Sequence, residues 1–210
     1  MPAAAALSTE RSREKIDEVR ELQARIRAMQ STTLDSRALD TSPTVAGLLP
    51  GGSLKTGVAY TIEGSTSLAM ALMAGPSQAG AWCGVVGVPT FGTEAAKAAG
   101  IDLERLALVP YPGDQWLPVT AALADVLTVV LIRPPLLPSD GTVARLMGRL
   151  RERGATLIVL GRWPGAEARL EVTRSEWSGL GAGHGYLRSR QLTVGVTSRT
   201  GRRDREVVLP

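Results

Sequence analysis

Histidine and cysteine are almost missing from this chain: its 210 residues hold one of each, His184 and Cys83. A single cysteine excludes an internal disulfide and a cysteine-based zinc site, and a single histidine excludes a paired-histidine metal centre. Cys83 reads as a buried structural thiol, because free cysteines behave mostly as small hydrophobes. Aromatic residues make up only 4% of the sequence, so the core must rest on Leu, Val, Ile and Ala. No apolar run approaches the ~20 residues that a membrane span requires. The longest, from Val126 to Ile132, suits a buried parallel strand. The opening MPAAAAL lacks the basic and apolar segments of a secretory signal, and a cytoplasmic chain is expected.

What is present is an ordinary globular composition. Hydrophobic residues are 44% of the chain, enough for a real core in one domain of moderate size with extensions. The formal net charge is +4. That balance is compatible with nucleic acid or an acidic protein as partner and demands neither.

Residues 8–30 predict an amphipathic helix, with Ser8 as N-cap and Glu21 and Arg25 spaced as an i,i+4 pair. Ile16, Val19, Leu22, Ile26 and Met29 form one apolar stripe, which must cover its own domain, a second copy or a partner. Residues 31–56 hold a Ser/Thr/Asp-rich linker and a Pro-Gly-Gly turn. From Val58 to Leu160 strands and helices alternate, which implies a parallel sheet with helices on both faces. Beyond Gly161 the pattern becomes two-residue alternation, as in Arg169–Arg174, Gln191–Val196 and Glu206–Leu209, read as antiparallel strands at one sheet edge. The expected organisation is a helix and linker over 1–43, a core over 44–198 and an Arg-rich tail over 199–210.

The stretch Thr56–Ala74 reads as strand, turn and helix, the setting of a phosphate-binding loop. Such a loop has the pattern G-x-x-x-x-G-K-[ST], in which backbone N–H groups and a lysine hold phosphates and a hydroxyl holds Mg²⁺. Counted from Gly64, the second glycine falls on Ala69, the lysine on Met70 and the hydroxyl on Ala71. Ser65, Thr66 and Ser67 can cap the helix, and a weak anion site at its N-terminus is the one remnant of the pattern. The plainer reading is a capped, buried helix with no ligand, no bound cofactor and no ATP hydrolysis.

Metal-dependent chemistry on such a sheet wants carboxylates at the strand ends, and none is expected there. The strand over 82–88 leads to Pro89, the strand over 126–132 to Arg133, and the strand over 156–160 to Gly161 and Arg162. Arg133 and Arg162 read either as an anion-binding pair or as ordinary surface residues. Gly179–Gly185 resembles a dinucleotide loop in composition, but no helix follows it, so a glycine-rich hairpin tip is expected. Arg199, Arg202, Arg203 and Arg205 read either as a solvated turn or as a contact for phosphate or an acidic partner. Trp163 and Trp177 are expected in loops or at edges, anchoring an interface or packing on the domain itself.

Taken in order, LPGGSLKTG, IEGSTS, WCGVVGVP, AAGIDLERLALVP, TVVLIRPP and ARLMGRLRERGATLIVLG resemble the RecA recombinase core over Leu48 to Leu160. The N-terminal helix and linker resemble the arm that joins RecA protomers. The resemblance implies an α/β, RecA-like core with a mostly parallel sheet, antiparallel edge strands at the C-terminal end and an N-terminal helical arm. In that family a water-activating glutamate stands where this chain has Pro89, and an Mg²⁺-linked aspartate where it has Arg133. The counterparts of the DNA-binding loops, Pro134–Gly141 and Arg162–Ala168, are short. The altered phosphate loop and the stretch RLEVTRSEWSGLGAGHGYLRSRQLTV resemble the short form of the ImuA family. That resemblance implies a non-catalytic accessory protein of SOS-induced translesion synthesis, in contact with ImuB and RecA and, through them, an error-prone C-family polymerase. Self-association through the N-terminal stripe and weak contact with DNA stay open. The alternatives are a residual nucleotide hydrolase and a single-strand DNA-binding module. The latter lacks an aromatic stacking platform.

Overall fold

The computed structural model describes residues 38–181 and 184–209. The helix expected over 8–30, with Ile16, Val19, Leu22, Ile26 and Met29, lies outside the described residues. The chain divides into units 1–38 and 39–210, and the architecture below is that of the second.

Its main sheet has eight strands: β1 (Ala59–Glu63), β2 (Cys83–Val86), β3 (Leu106–Val109), β4 (Val129–Ile132), β5 (Thr156–Leu160), β6 (Ala168–Gly181), β7 (His184–Ser198) and β8 (Gly201–Leu209). Their spatial order is β8-β7-β6-β1-β5-β4-β2-β3. From β6 to β3 every neighbouring pair is parallel, and β6-β7-β8 form an antiparallel meander. The helices are α1 (Thr66–Gln78), α2 (Thr93–Ala98), α3 (Trp116–Ala124) and α4 (Asp140–Arg153), after a single turn at Pro43–Ala46. Among the described residues no helix is long and apolar enough to cross a membrane.

Period-two side-chain alternation sends each central strand into two cores. Val129, Leu131, Ile158 and Leu160 join one cluster with Leu68, Leu72 and Met73 of α1. Val130, Ile132, Leu157 and Val159 join the other with Trp116 of α3 and Val143, Leu146 and Leu150 of α4. The near-continuous apolar runs of β4 and β5 are what burial on both faces requires. On the second face Arg149 and Arg153 of α4 both reach Asp125, the residue that ends α3. The hydrogen bond from Arg149 is the main cause that holds the Asp125 carboxyl below the usual range.

Several expected boundaries move for local reasons. The strand expected from Val126 begins at Val129, because the amides of Val126 and Leu127 still bond back to the Leu123 carbonyl as α3 ends. Arg169–Arg174 belongs to a 14-residue strand that is parallel to β1 rather than antiparallel; only its other neighbour, β7, runs the opposite way. Gly181 pairs with His184, so the glycine-rich segment is the tip of the β6-β7 hairpin. The segment expected as an Arg-rich tail is largely β8, the edge strand of the same sheet.

Helix α1 runs on through Pro76, and a tight crossing fixes its position. A Cβ added to Gly75 would stand 2.7 Å from the Asp40 carbonyl oxygen and 2.8 Å from the Ser42 nitrogen. Both neighbours are backbone, so neither can swing away. Replacing Gly75 with Ala should therefore destabilise the fold by about 1–3 kcal/mol, the usual range for overpacking. Urea unfolding would check this; an unchanged midpoint would mean that the crossing is loose.

Candidate functional site

The site begins where β1 hands over to α1. Gly64 makes the turn with φ +89°, a left-handed conformation that suits glycine. Ser65 follows in extended conformation as N-cap, and its Oγ accepts the Leu68 amide at 3.1 Å. The Ser65 and Ser67 hydroxyls lie 2.9 Å apart. Arg190 of β7 donates to Ser67 Oγ at 3.1 Å and to Ser175 Oγ at 2.8 Å. Its guanidinium lies over the Trp177 ring, 5.2 Å from the centroid.

The residues that replace the phosphate-loop signature are core residues. Ala69 is fully buried, Met70 is 5% exposed, and half-buried Ala71 packs against the same cluster. Nothing at these positions offers a charge or a hydroxyl to a ligand.

The cleft above this turn has a volume of about 460 Å³ and is bounded by the ends of β1 and β5, by Gly64–Thr66, and by Arg133 and Arg162. Arg133 and Arg162, which the sequence leaves as either a pair or separate surface residues, thus share one cavity with the loop. Both are exposed, and neither side chain has a salt-bridge or hydrogen-bond partner among the described residues. A second recess of about 440 Å³ shares Glu63 and Arg162 with the first and adds Trp163, Arg169 and Thr197.

The expectation of no carboxylate at a strand end needs correction. Glu63 is the last residue of β1 and lines the cleft. One of its oxygens accepts from Arg169 Nη2 at 3.0 Å; the other, Oε1, is buried without a donor. Glu63 is easily read as part of the turn, and nothing local announces Arg169, 106 residues away, as its partner. Arg190 was equally hidden, since only the pairing of β6 with β1 brings the long hairpin to the start of α1.

Other expected features are redistributed. Trp163 is 6% exposed and packs in the second core, so it anchors the domain's own interior. Trp177 is 54% exposed. The arginines of residues 199–205 do not form one patch, because strand alternation divides them. Arg202 is exposed, while Arg203 is half-buried with Nη2 3.4 Å from the Leu49 carbonyl oxygen and Nε buried without an acceptor. Arg205 is exposed and donates to the Asp204 carbonyl oxygen, and Arg199 stands 3.9 Å from Glu167. Cys83 is buried in the first core, and burial pushes its thiol up to about 12. Burial likewise lifts the Tyr60 hydroxyl to about 12, although this oxygen accepts the Lys55 amide at 3.0 Å.

These elements define an α/β domain with a mostly parallel sheet, a glycine turn and capped helix after its first strand, and two arginines at the neighbouring strand ends. The family described as the MT3502 N-terminal domain matches residues 47–165, more than half of the sequence, and the chain belongs to that family. The match takes in the turn at Gly64 and both cleft arginines. The chain is also similar to the uncharacterized protein Rv3395c of Mycobacterium tuberculosis, with 35% identity over 127 residues. That alignment covers 59% of this chain and 62% of the relative, so the chain spans less than two thirds of the relative's length.

Two measurements test this description. Ser65→Ala removes the cap of α1 and should cost about 1 kcal/mol in urea unfolding. Ser65→Gly should cost less; equal stability of wild type and alanine variant would contradict the capping role. Cys83 should resist a thiol reagent at pH 8 in the folded chain and react fully once unfolded. The neutral forms of Cys83 and Tyr60 are favoured in the folded state, so their contribution is intact below the ordinary values of 9.0 and 10.0 and declines as pH rises toward 12. Rapid native labelling, or stability that rises over that alkaline range, would contradict the burial.

Proposed function

We propose that this chain is a non-catalytic accessory protein of the ImuA type, with a RecA-like core, acting in SOS-induced translesion synthesis through contacts with ImuB and RecA. The error-prone C-family polymerase joins indirectly, through those partners. The observation that carries the non-catalytic part is Met70. It occupies the lysine position of the loop and is buried with Ala69 in the core, so this position offers no cation to a phosphate. Pro89 and Arg133 stand where the resemblance would place a water-activating acid and a metal-linked acid. The one strand-end carboxylate in the cleft, Glu63, is held by Arg169.

The family match over 47–165 coincides with the stretch Leu48–Leu160 on which the RecA resemblance rests, which supports reading both as one core. The partner part rests on the resemblance and on the apolar stripe that the spacing of Ile16, Val19, Leu22, Ile26 and Met29 predicts.

Co-purification of the full chain with ImuB and with RecA tests the reading. Wild type should retain both partners. Leu22→Asp or Ile26→Asp should weaken retention of RecA, or self-association, by at least about tenfold, since each places a charge in an apolar contact. Circular dichroism should show the core intact. Absence of both partners, or full retention by the aspartate variants, would count against this function.

A further inference from the structure

We propose that the recess beside Trp163 is a docking site for an acidic peptide segment, one that sets a single carboxylate next to a large apolar side chain. The inference goes beyond the partner reading and does not depend on it.

The recess, of about 440 Å³, lies between the segments that follow β4 and β5, the start of β6 and the end of β7. Its charged lining residues are Glu63, Arg162 and Arg169. Glu63 and Arg169 offset each other through their bond of 3.0 Å. The side chain of Arg162 is exposed and has no salt-bridge or hydrogen-bond partner among the described residues. One positive charge is therefore left for an outside group, and that balance suits a monoanion. A nucleic-acid strand brings a negative charge with every nucleotide, and one free arginine beside a carboxylate matches it poorly.

A separate observation points to a ligand. Trp163 lines the same recess and is 6% exposed, more than nine-tenths buried. Its Nε1 is buried and has no acceptor among the described residues. An indole nitrogen only donates, so the group that satisfies it must bring an acceptor. Left alone, such a buried donor costs stability. A carboxylate has an oxygen for the Trp163 N–H and another for the neighbouring Arg162 guanidinium, whose planar N–H fork matches it.

The other lining residues indicate what carries the carboxylate. Leu137 is 58% exposed at the recess, and its neighbour Leu136 is 68% exposed. An apolar side chain beside the carboxylate would cover Leu137 and remove that surface from water. Thr197 and Ser198, at the end of β7, offer hydroxyls to a peptide backbone. A small inorganic anion would use Arg162 and leave the leucine uncovered, whereas a peptide segment uses both.

NMR titration of the full chain with acetyl-Gly-Leu-Leu, bearing a free C-terminal carboxylate, tests the site. The chain has four tryptophans and so four indole N–H resonances. That of Trp163 is identified by its loss in Trp163→Phe. The acid peptide should shift this resonance saturably. The C-terminal amide of the same peptide should bind at least about tenfold more weakly, the scale of a lost charge-assisted hydrogen bond. Arg162→Ala should weaken the acid peptide to the same degree, and Arg162→Lys should restore part of the response. Arg174→Ala, on a side chain 73% exposed and outside the recess, should leave it unchanged. The remaining amide resonances report whether each variant is folded. No saturable shift, an equal response to acid and amide, or a response indifferent to Arg162 would overturn the proposal. A thymidine oligonucleotide that shifts the same resonance as strongly as the peptide, or in its place, would overturn it in favour of nucleic acid. Co-purification with ImuB and RecA is measured apart from this titration, so the two readings fail separately.

Discussion

Burial of α1 is the constraint on which the rest of this domain depends. From Leu68 to Ser77 nearly every residue of the helix is buried, and it has no broad polar face. Such a helix is stable only when covered on most sides. Strands β1, β4 and β5 cover one side, and the β6-β7-β8 meander contributes Leu170, Val194, Val196 and Val207 to the same cluster. The backbone at Asp40–Ser42 closes over Gly75. The long C-terminal hairpin is therefore part of the core and no appendage, since without it the first cluster would lose the apolar side chains of three strands.

That burial also determines what the site can do. A loop lysine must leave the helix surface to reach a phosphate, and the equivalent position here points into apolar packing. The glycine turn and the cap serve folding, and the positions of Ala69, Met70 and Ala71 carry neither charge nor hydroxyl. Positive charge has not vanished from the region, however. It enters from Arg133, Arg162 and Arg190, which come from strand ends and a hairpin rather than from the loop.

The parallel core was legible because its signals are local. The runs TLIVL and LALV match β5 and β3 residue for residue, and the Gly64–Ser65 turn with its capped helix follows from spacing alone. Cys83 was legible as a buried structural thiol because a lone free cysteine mostly behaves as a small hydrophobe. What depended on pairing between distant segments was not legible. Glu63 looked like a turn residue until Arg169 was placed beside it, and Trp163 looked like an edge aromatic until α3 and α4 closed over it. The arginines of residues 199–205 read as one basic run, although the alternation of β8 separates Arg203 from Arg202. The cleft was half legible: both arginines could be named, but their meeting with the loop depends on β5 lying between β1 and β4, which sequence order does not reveal.

The proposed non-catalytic role rests on Met70, buried where a phosphate loop would carry its lysine. Phosphate release from ATP by the full chain in Mg²⁺ tests this most directly, with and without the proposed partners ImuB and RecA. The account predicts no turnover above the protein-free rate in the chain alone, and none in the mixtures beyond that of the partners themselves. Turnover that depends on this chain and disappears when Arg133 or Arg162 is replaced would contradict it.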